Sequence, residues 1–382
     1  MKWLVPLSDI QFGPEEKDAV QAVLESGWLT MGEITQQFEE EFKAYTGAKH
    51  AFAVSNATVA LHMACAALDL KPGDEVIVPS LTFVATANAV RYTGATPIFA
   101  DITSENDLTI SLDSIKQAFT SRTKALIVMH YAGYACDMPA ILDWAKEHNL
   151  PVIEDAAHAV GSYLEDRHLG TWGMAGCFSF FSNKNLSTGE GGMIVTDDDA
   201  LAEKFSLLRS HGMTSLTWDR HEGHAWSYDV VALGYNYRID EIHSAIGREQ
   251  LRKLDGNNAR RREITALYRE RLAVLCPELG VPFAGHPGIS AHHIMPVILP
   301  EGASRLQFME AMKAHGIQTS IHYPPIHTFS YYREHFPGPH HLPLTEAIAP
   351  REVTLPLYPT MTADQIDYLM EQVPLALKAA KK

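Results

Sequence analysis

Short apolar runs alternate with amphipathic stretches through the first half of the chain. The runs in GDEVIVPS and TKALIVMH have the length of buried strands, whereas ITQQFEEEFKAYTG and MPAILDWAKEHN repeat apolar residues at helical spacing. Strands that alternate with helices are typical of βαβ units and a mostly parallel sheet. The pattern therefore predicts an α/β fold in which ligands bind at the carboxyl ends of the strands.

The pattern changes at about Asp240. The stretch from Asp240 to Leu275 is charged, amphipathic and uninterrupted, which predicts one long helix. Beyond it, HHIMPVIL and IQTSIHYP have the pattern of strands, and SRLQFMEAMKAHG has helical spacing. We therefore expect a large domain at residues 1–245 and a smaller α+β domain at residues 246–382, with the long helix leading from the first into the second.

Composition narrows the class of protein. The chain has 382 residues and a formal net charge of −15, which argues against general binding to nucleic acid phosphates. No apolar run is long enough to span a bilayer, and the start, MKWLVPLSDIQFG, lacks the apolar core of a signal peptide. The cysteines have no CxxC spacing, which argues against a zinc site or a disulfide framework. We expect a cytoplasmic protein that binds neither membrane nor nucleic acid.

Two charged side chains stand in stretches that otherwise have the pattern of buried chain. Asp155 ends the apolar strand of PVIEDAAHAVG, where a carboxylate can meet a ligand, although Asp is also a good helix cap. Lys184 lies between the aromatic run FSFF and the glycines of GEGG, whose backbone can approach a ligand closely. Lysine is usually a surface residue, because burial of its ammonium group is costly. Each residue alone therefore allows a structural and a functional interpretation.

A phosphate site is predicted at VSNATVAL, where a short strand leads through a polar turn into a helix. The N–H groups of the first helical turn and the Thr58 hydroxyl suit a phosphate, although Ser and Asn there are also ordinary caps. A phosphate site, a buried carboxylate and one lysine on the same sheet together fit pyridoxal 5′-phosphate (PLP). In PLP enzymes the lysine forms a Schiff base with the aldehyde, and the carboxylate keeps the pyridine nitrogen protonated.

A series of motifs resembles the DegT/DnrJ/EryC1/StrS sugar aminotransferase family of fold type I PLP enzymes. In chain order they are VSNATVALHMA, GDEVIVPSLTFVATANAV, GATPIFADI, PVIEDAAHAVGS, CFSFFSNKNLSTGEGGMIVTDD, LGYNYRIDEIHSAIG and HYPPIH. The resemblance covers nearly the whole chain. It implies a large domain with a mostly parallel seven-stranded sheet, PLP as the cofactor, and a homodimer with shared active sites.

The resemblance also implies roles for individual residues at the cofactor. Lys184 is the lysine that binds the aldehyde and later transfers the proton, and Asp155 pairs with the pyridine nitrogen. His158, where many relatives have Gln, lies against the ring near its 3-hydroxyl, and Phe83 stacks on the other face. The phosphate contacts are Ala57, Thr58, Ser179 and, from the neighbouring subunit, Asn236. The family more often has Gly–Thr than the Ala–Thr found at positions 57 and 58.

Substrate contacts are implied by two further motifs. HYPPIH resembles a loop that lines the substrate site and supplies His322, Tyr323 and His327, although a rigid Pro-Pro turn with incidental histidines is the alternative. Arg238 either contacts the substrate or binds carbonyl groups of its own turn. The His-rich stretch LRSHGMTSLTWDRHEGHAWSYDV has no histidine pair with metal-ligand spacing. We interpret its histidines as contacts of a loop near the substrate: His211, His221 and His224.

The predicted activity is transfer of an amino group from L-glutamate to the keto carbon of a nucleotide-linked sugar, a 4-keto or 3-keto deoxysugar. One alternative is a transaminase of this family that takes another carbonyl, such as a cyclitol, a keto-sugar acid or a small aldehyde. A second is a PLP-dependent sugar dehydratase, which would have His in place of Lys184. A third is a non-enzymatic regulator, for which the set Asp155, Ser179, Lys184 and Asn236 would have no chemical purpose.

Overall fold

The computed structural model describes residues 3–214 and 227–381. The helices in these ranges are α1 Pro14–Ser26, α2 Glu33–Thr46, α3 Ala57–Ala67, α4 Ala85–Tyr92, α5 Leu112–Ala118, α6 Met138–Glu147, α7 Asp199–Arg209, α8 Glu241–Leu275, α9 Arg305–Ala314, α10 Ser330–His335, α11 Pro343–Ile348 and α12 Ala363–Ala380. The strands are β1 His50–Val54, β2 Glu75–Pro79, β3 Thr96–Ala100, β4 Ile102–Ser104, β5 Asp107–Ile110, β6 Thr123–Met129, β7 Val152–Asp155, β8 Tyr163–Leu164, β9 Arg167–His168, β10 Ala175–Ser179, β11 Gly192–Thr196, β12 Met295–Ile298 and β13 Glu352–Leu355.

The central sheet has seven strands in the order β1-β11-β10-β7-β6-β2-β3. The strands from β10 to β3 pair in parallel, whereas β11 is antiparallel to both of its neighbours. Strands β2 and β10 are buried at every residue because helices cover both faces of the sheet. The predicted α/β fold with a mostly parallel seven-stranded sheet is therefore confirmed.

A second hydrophobic core lies beside the sheet. It joins the C-terminal half of α8 with β12, β13, α9 and α12, and its largest buried members include Tyr268, Phe308 and Tyr358. Val5, near the start of the chain, also packs in this core. Position 245 lies inside α8. The boundary at residue 245 between a large and a smaller domain therefore stays a proposal.

One strand of this second region is wrongly predicted and one is missed. IQTSIHYP forms no strand; it makes isolated bridges from Ile317 to Val5 and from Ser320 to Thr354. These bridges have different partners and a Pro-Pro pair follows at once, so the hydrogen-bond ladder does not extend. The actual partner of β12 is β13, whose sequence EVTL alternates polar and apolar residues although all four are buried.

Glu241, the first residue of α8, joins this helix to the start of α2. Its buried carboxylate accepts hydrogen bonds from the backbone N–H of Gly32, Ile34 and Thr35 at 2.8, 2.8 and 2.9 Å. These are first-turn donors that the helix itself leaves unpaired. The contact anchors the start of α8, directly after the segment that carries Asn236 and Arg238. None of the helices in the described ranges is both long and apolar enough to cross a membrane.

We expect Glu241→Ala to lower the free energy of unfolding by about 2–3 kcal/mol, because several buried donors lose a charged acceptor. The matched control is Glu263→Ala, which removes an exposed carboxylate from the same helix and should change stability by less than about 0.5 kcal/mol. Denaturant unfolding at one fixed protein and cofactor concentration gives both values. Equal losses in the two variants would contradict the capping role of Glu241.

Candidate active site

A cavity of about 680 Å³ opens at the carboxyl ends of the parallel strands. Met129, Asp155 and Ser179, the last residues of β6, β7 and β10, all line it. This is the position at which open α/β sheets bind ligands. The volume lies within the range of about 300–1,000 Å³ that is usual for small-molecule sites. Many of the predicted residues meet here: Ala57, Thr58, Phe83, Asp155, His158, Ser179, Lys184, His322 and Tyr323.

Lys184 lies in the loop between β10 and β11, and its side chain lines the cavity. The backbone N–H of Lys184 donates to the carbonyl of Phe181 at 2.9 Å, which holds the loop in a turn. Burial lowers the pKa of the amine to about 8, while the carboxylate of Asp155 acts in the opposite direction. An amine with this pKa is partly unprotonated near neutral pH and can act as a nucleophile or a proton carrier.

Asp155 presents its carboxylate at the end of β7. Its Oδ2 accepts a hydrogen bond from the Thr86 hydroxyl at 2.7 Å, and its Oδ1 accepts one from the Ala157 N–H at 3.2 Å. Burial raises the pKa of Asp155, and these two hydrogen bonds oppose the rise. The chain forms turns rather than a helix after Asp155. Asp155 is therefore no helix cap, and its carboxylate is available to a cationic group in the cavity.

The start of α3 forms the polar end of the cavity. The Asn56 side chain caps α3 by accepting from the Val59 N–H at 3.0 Å, and Ala57 and Thr58 occupy the first turn. Gly192 of β11 packs against this turn so closely that an added Cβ would lie 2.6 Å from the carbonyl carbon of Asn56. Backbone N–H groups and a hydroxyl at a helix start suit an anion such as a phosphate.

His158 is held as a neutral ring. Its Nδ1 accepts a hydrogen bond from the Ala132 N–H at 3.3 Å, so the ring proton is on Nε2, which donates to the Tyr323 hydroxyl at 2.8 Å. Burial lowers the pKa of His158 well below its usual range. The Phe83 ring, 54% exposed, lies 5.8 Å from the Tyr323 ring between centroids. A planar ligand could lie between the exposed face of Phe83 and His158.

His322 is also buried and neutral. Its Nδ1 lies 2.8 Å from the Thr354 hydroxyl, and its backbone N–H donates to Glu352 at 2.9 Å. Burial lowers the pKa of His322 to about 3 and raises that of Glu352 to about 8. His322 therefore contributes a fixed, uncharged imidazole to the cavity wall.

Other predicted residues lie outside this cavity. Asn236 and Arg238 line a neighbouring cavity of about 280 Å³, and Glu190 lines both. The Arg238 guanidinium donates to the Ser210 hydroxyl at 2.9 Å. His327 lies near Ser80, with Nδ1 2.7 Å from its hydroxyl, and the cavity linings do not include it.

The predicted histidines of the His-rich stretch stand apart as well. His211 is exposed in the turn after α7 and does not line the described cavities. His221 and His224 lie outside the described residues. A role of these three residues near the substrate stays a prediction.

The sequence analysis missed several residues that the fold brings to the site. Thr86 binds the Asp155 carboxylate, and the Nε2 atom of His293 lies 3.4 Å from the Lys184 amine. Thr86 stands at a helix start and His293 in an Ala-His-His stretch before β12, so neither has a motif of its own. Their contacts span 69 and 109 positions along the chain, which no local pattern can indicate.

These residues fit PLP. A buried amine with a lowered pKa suits the aldehyde, the Asp155 carboxylate suits a protonated pyridine nitrogen, and the start of α3 suits the phosphate. The close approach of Gly192 to Asn56 keeps that helix start unobstructed by a side chain.

Comparisons with known proteins identify the family of the chain. A model of the DegT/DnrJ/EryC1/StrS aminotransferase family matches residues 11–374. The chain is also similar to the spore coat polysaccharide biosynthesis protein SpsC of Bacillus subtilis (strain 168). The two are 42% identical over an alignment of 383 positions that covers 98% of each chain.

Solved structures resemble the whole chain. The PLP form of the sugar aminotransferase Spr1654 from Streptococcus pneumoniae, whose assignment is itself provisional, matches with a TM-score of 0.89 and 27% identity over 98% of each chain. DesI, solved in the presence of its TDP-sugar product, matches with a TM-score of 0.88 and 32% identity over 100% of this chain and 94% of DesI. The chain belongs to the DegT/DnrJ/EryC1/StrS family and is a PLP-dependent aminotransferase.

Proposed function

We propose that the enzyme transfers an amino group from L-glutamate to the keto carbon of a nucleotide-linked sugar, a 4-keto or 3-keto deoxysugar. The observation that carries this proposal is the similarity over the full chain to DesI, which was solved with its TDP-sugar product. The similarity to SpsC, a polysaccharide biosynthesis protein, points to the same class of substrate.

The volume and lining of the cavity suit a substrate larger than a free sugar. Its lining combines the polar cofactor residues with aromatic side chains that a nucleotide base or a sugar face can contact. These aromatic residues are Phe83, Tyr92, Phe181, Tyr237 and Tyr323. The volume of about 680 Å³ has room for a second group beside the cofactor.

Within this reaction we assign each side chain one task. When bound, PLP supplies an aldehyde that reacts with amines and a ring that withdraws electrons. Lys184 binds the aldehyde and then carries the proton, for which an amine pKa of about 8 is suitable. Asp155 holds the proton on the pyridine nitrogen. His158 and Phe83 contact the two ring faces, and the phosphate is bound by Ala57, Thr58 and Ser179.

We further propose a homodimer in which Asn236 completes the partner's phosphate site. Asn236 is exposed and lines the neighbouring cavity rather than the one that holds Lys184. The segment just before it exposes Val230, Val231 and Leu233 by 56%, 56% and 84%. Contiguous apolar side chains with this exposure favour burial against a second copy of the chain.

A substrate panel tests the proposed reaction. Enzyme with ¹⁵N-labelled L-glutamate is mixed with UDP-, TDP- and GDP-linked keto sugars, a keto cyclitol and a free keto-sugar acid, and the products are analysed by mass spectrometry. We expect ¹⁵N in a nucleotide-linked amino sugar. Amination of only the cyclitol or the free acid would reject the nucleotide-linked substrate, and absence of label with glutamate but transfer from another amino acid would reject the donor.

We expect Lys184→Ala to abolish turnover while PLP still binds without a covalent bond, because the phosphate and ring contacts remain. Borohydride reduction of the wild-type holoenzyme followed by peptide mapping should place the pyridoxyl group on Lys184. The control Lys204→Ala, which removes a half-exposed lysine on α7, should keep the label and the activity. A pyridoxyl group on any other lysine would refute the assignment.

Asp155→Asn should slow the half reaction about 1,000-fold, because the amide cannot hold a proton on the pyridine nitrogen by its charge. Stability should change little, since the amide oxygen can still accept one of the two hydrogen bonds. Stopped-flow absorbance with L-glutamate measures the rate, and Asp143→Asn on the exposed face of α6 is the control. A near-normal rate in Asp155→Asn would show that the carboxylate has only a structural role.

The shared site predicts complementation between two inactive variants. Mixed Asn236→Ala and Lys184→Ala chains form some hybrid dimers in which one site keeps both residues. Activity should therefore reappear after subunit exchange, up to about one quarter of wild type when exchange is statistical. An inactive mixture in which native mass spectrometry detects hybrids would show that Asn236 serves its own subunit.

A further inference from the structure

We propose that His293 is a positioning residue for Lys184: its Nε2 accepts a hydrogen bond from the lysine amine and holds that amine at the wall of the cavity. The inference rests on the proposed role of Lys184 and adds a residue that lies far from it in sequence. The two side chains meet with 3.4 Å between Nζ of Lys184 and Nε2 of His293.

The direction of this hydrogen bond follows from two backbone carbonyls. The carbonyl of Val160 can only accept, so the Asn258 atom that lies 3.0 Å from it is the amide nitrogen. The oxygen of Asn258 therefore faces Asn185 and accepts from its amide nitrogen at 2.7 Å. The same nitrogen of Asn185 donates to the carbonyl of Ala291 at 2.8 Å. Both contacts fix the orientation of the Asn185 amide.

The fixed amide of Asn185 sets the proton on the His293 ring. The Asn185 oxygen lies 2.9 Å from Nδ1 of His293 and can only accept, so Nδ1 carries the proton. In a neutral imidazole the other nitrogen, Nε2, then has a lone pair. That lone pair faces the Lys184 amine, which is the donor.

His293 stays neutral at working pH. Burial lowers its pKa well below the usual range, and the nearby cations and imidazoles act in the same direction. The groups that face it are Lys184, His158, Arg261 and His322. A neutral acceptor can accept a hydrogen bond from the lysine in both its ammonium and its free amine form. In the free amine form, the lone pair of Nζ takes no part in this hydrogen bond and stays available to the ligand.

The backbone of His293 is held independently of Lys184. Its N–H donates to the carbonyl of Ala132 at 2.9 Å, and its carbonyl accepts from Arg261 at 3.3 Å. The ring is thus anchored through its own backbone as well as through Asn185 of the β10–β11 loop. The position of the amine is then set by the loop that carries it and by an imidazole from the chain just before β12.

Two amide substitutions of His293 distinguish a hydrogen bond to Lys184 from a role in packing alone. In His293→Gln the amide oxygen can reach the position of Nε2 and accept from Lys184. In His293→Asn the shorter amide can still donate to Asn185 but does not reach the amine. Both are neutral and differ by one methylene group. Thermal unfolding of both variants should match wild type within about 3 °C.

The titration of Lys184 in the full chain freed of PLP tests the contact. Trace acetylation with acetic anhydride over a pH range of about 6 to 11, read by peptide mass spectrometry, gives the midpoint for each lysine. An acceptor stabilises the ammonium form and raises the lysine pKa, so loss of the acceptor lowers it. We expect the Lys184 midpoint to fall by about one pH unit in His293→Asn and to stay near wild type in His293→Gln. Lys204 is the internal reference.

A second measurement follows the attachment of added PLP to Lys184, trapped by borohydride at intervals. We expect attachment to slow about tenfold in His293→Asn and to recover in His293→Gln. An unchanged Lys184 midpoint in His293→Asn, or an equal fall in both variants, would overturn the inference. If the midpoint falls as expected but the pyridoxyl group attaches to another lysine, the contact stands and the proposed role of Lys184 fails.

Discussion

The site depends on a lysine amine kept largely out of water. Burial lowers the pKa of Lys184, and a cation in this place needs compensation that the Asp155 carboxylate supplies only in part. The amine is consequently close to the balance between its two protonation states. The neighbouring histidines share this constraint, because burial keeps His158, His293 and His322 uncharged and so avoids further positive charge beside the lysine.

Two parts of the structure meet to create this environment. The parallel strands place Asp155 and Ser179 at one edge of the sheet. The region around β12 and β13 supplies His293, which contacts Lys184, and His322, which lines the cavity. Glu241 adds a constraint of a different kind, since it fixes the chain just after the segment that carries Asn236. Asn236 lies at a second cavity, which accounts for our proposal that each site is completed by a partner subunit.

Much of this architecture follows from local patterns. Apolar runs predicted the strands of the central sheet, and the motifs around Asp155 and Lys184 predicted the residues that line the cavity. The predictions failed where the burial of a residue cannot be read from the local pattern of polar and apolar positions. In β13, Glu352 and Thr354 are buried because His322 forms hydrogen bonds with them. The alternation of polar and apolar residues in β13 is nevertheless the pattern of a strand with one exposed face. His293 was missed because its role arises from a chain of amides that only the folded structure brings together.

The most direct test of the account is a crystal structure of the full chain with PLP bound. The account predicts a covalent bond from the Lys184 amine to the cofactor, the pyridine nitrogen facing the Asp155 carboxylate, and the phosphate at the first turn of α3. A cofactor bound with its phosphate elsewhere, or with its pyridine nitrogen turned away from Asp155, would contradict it.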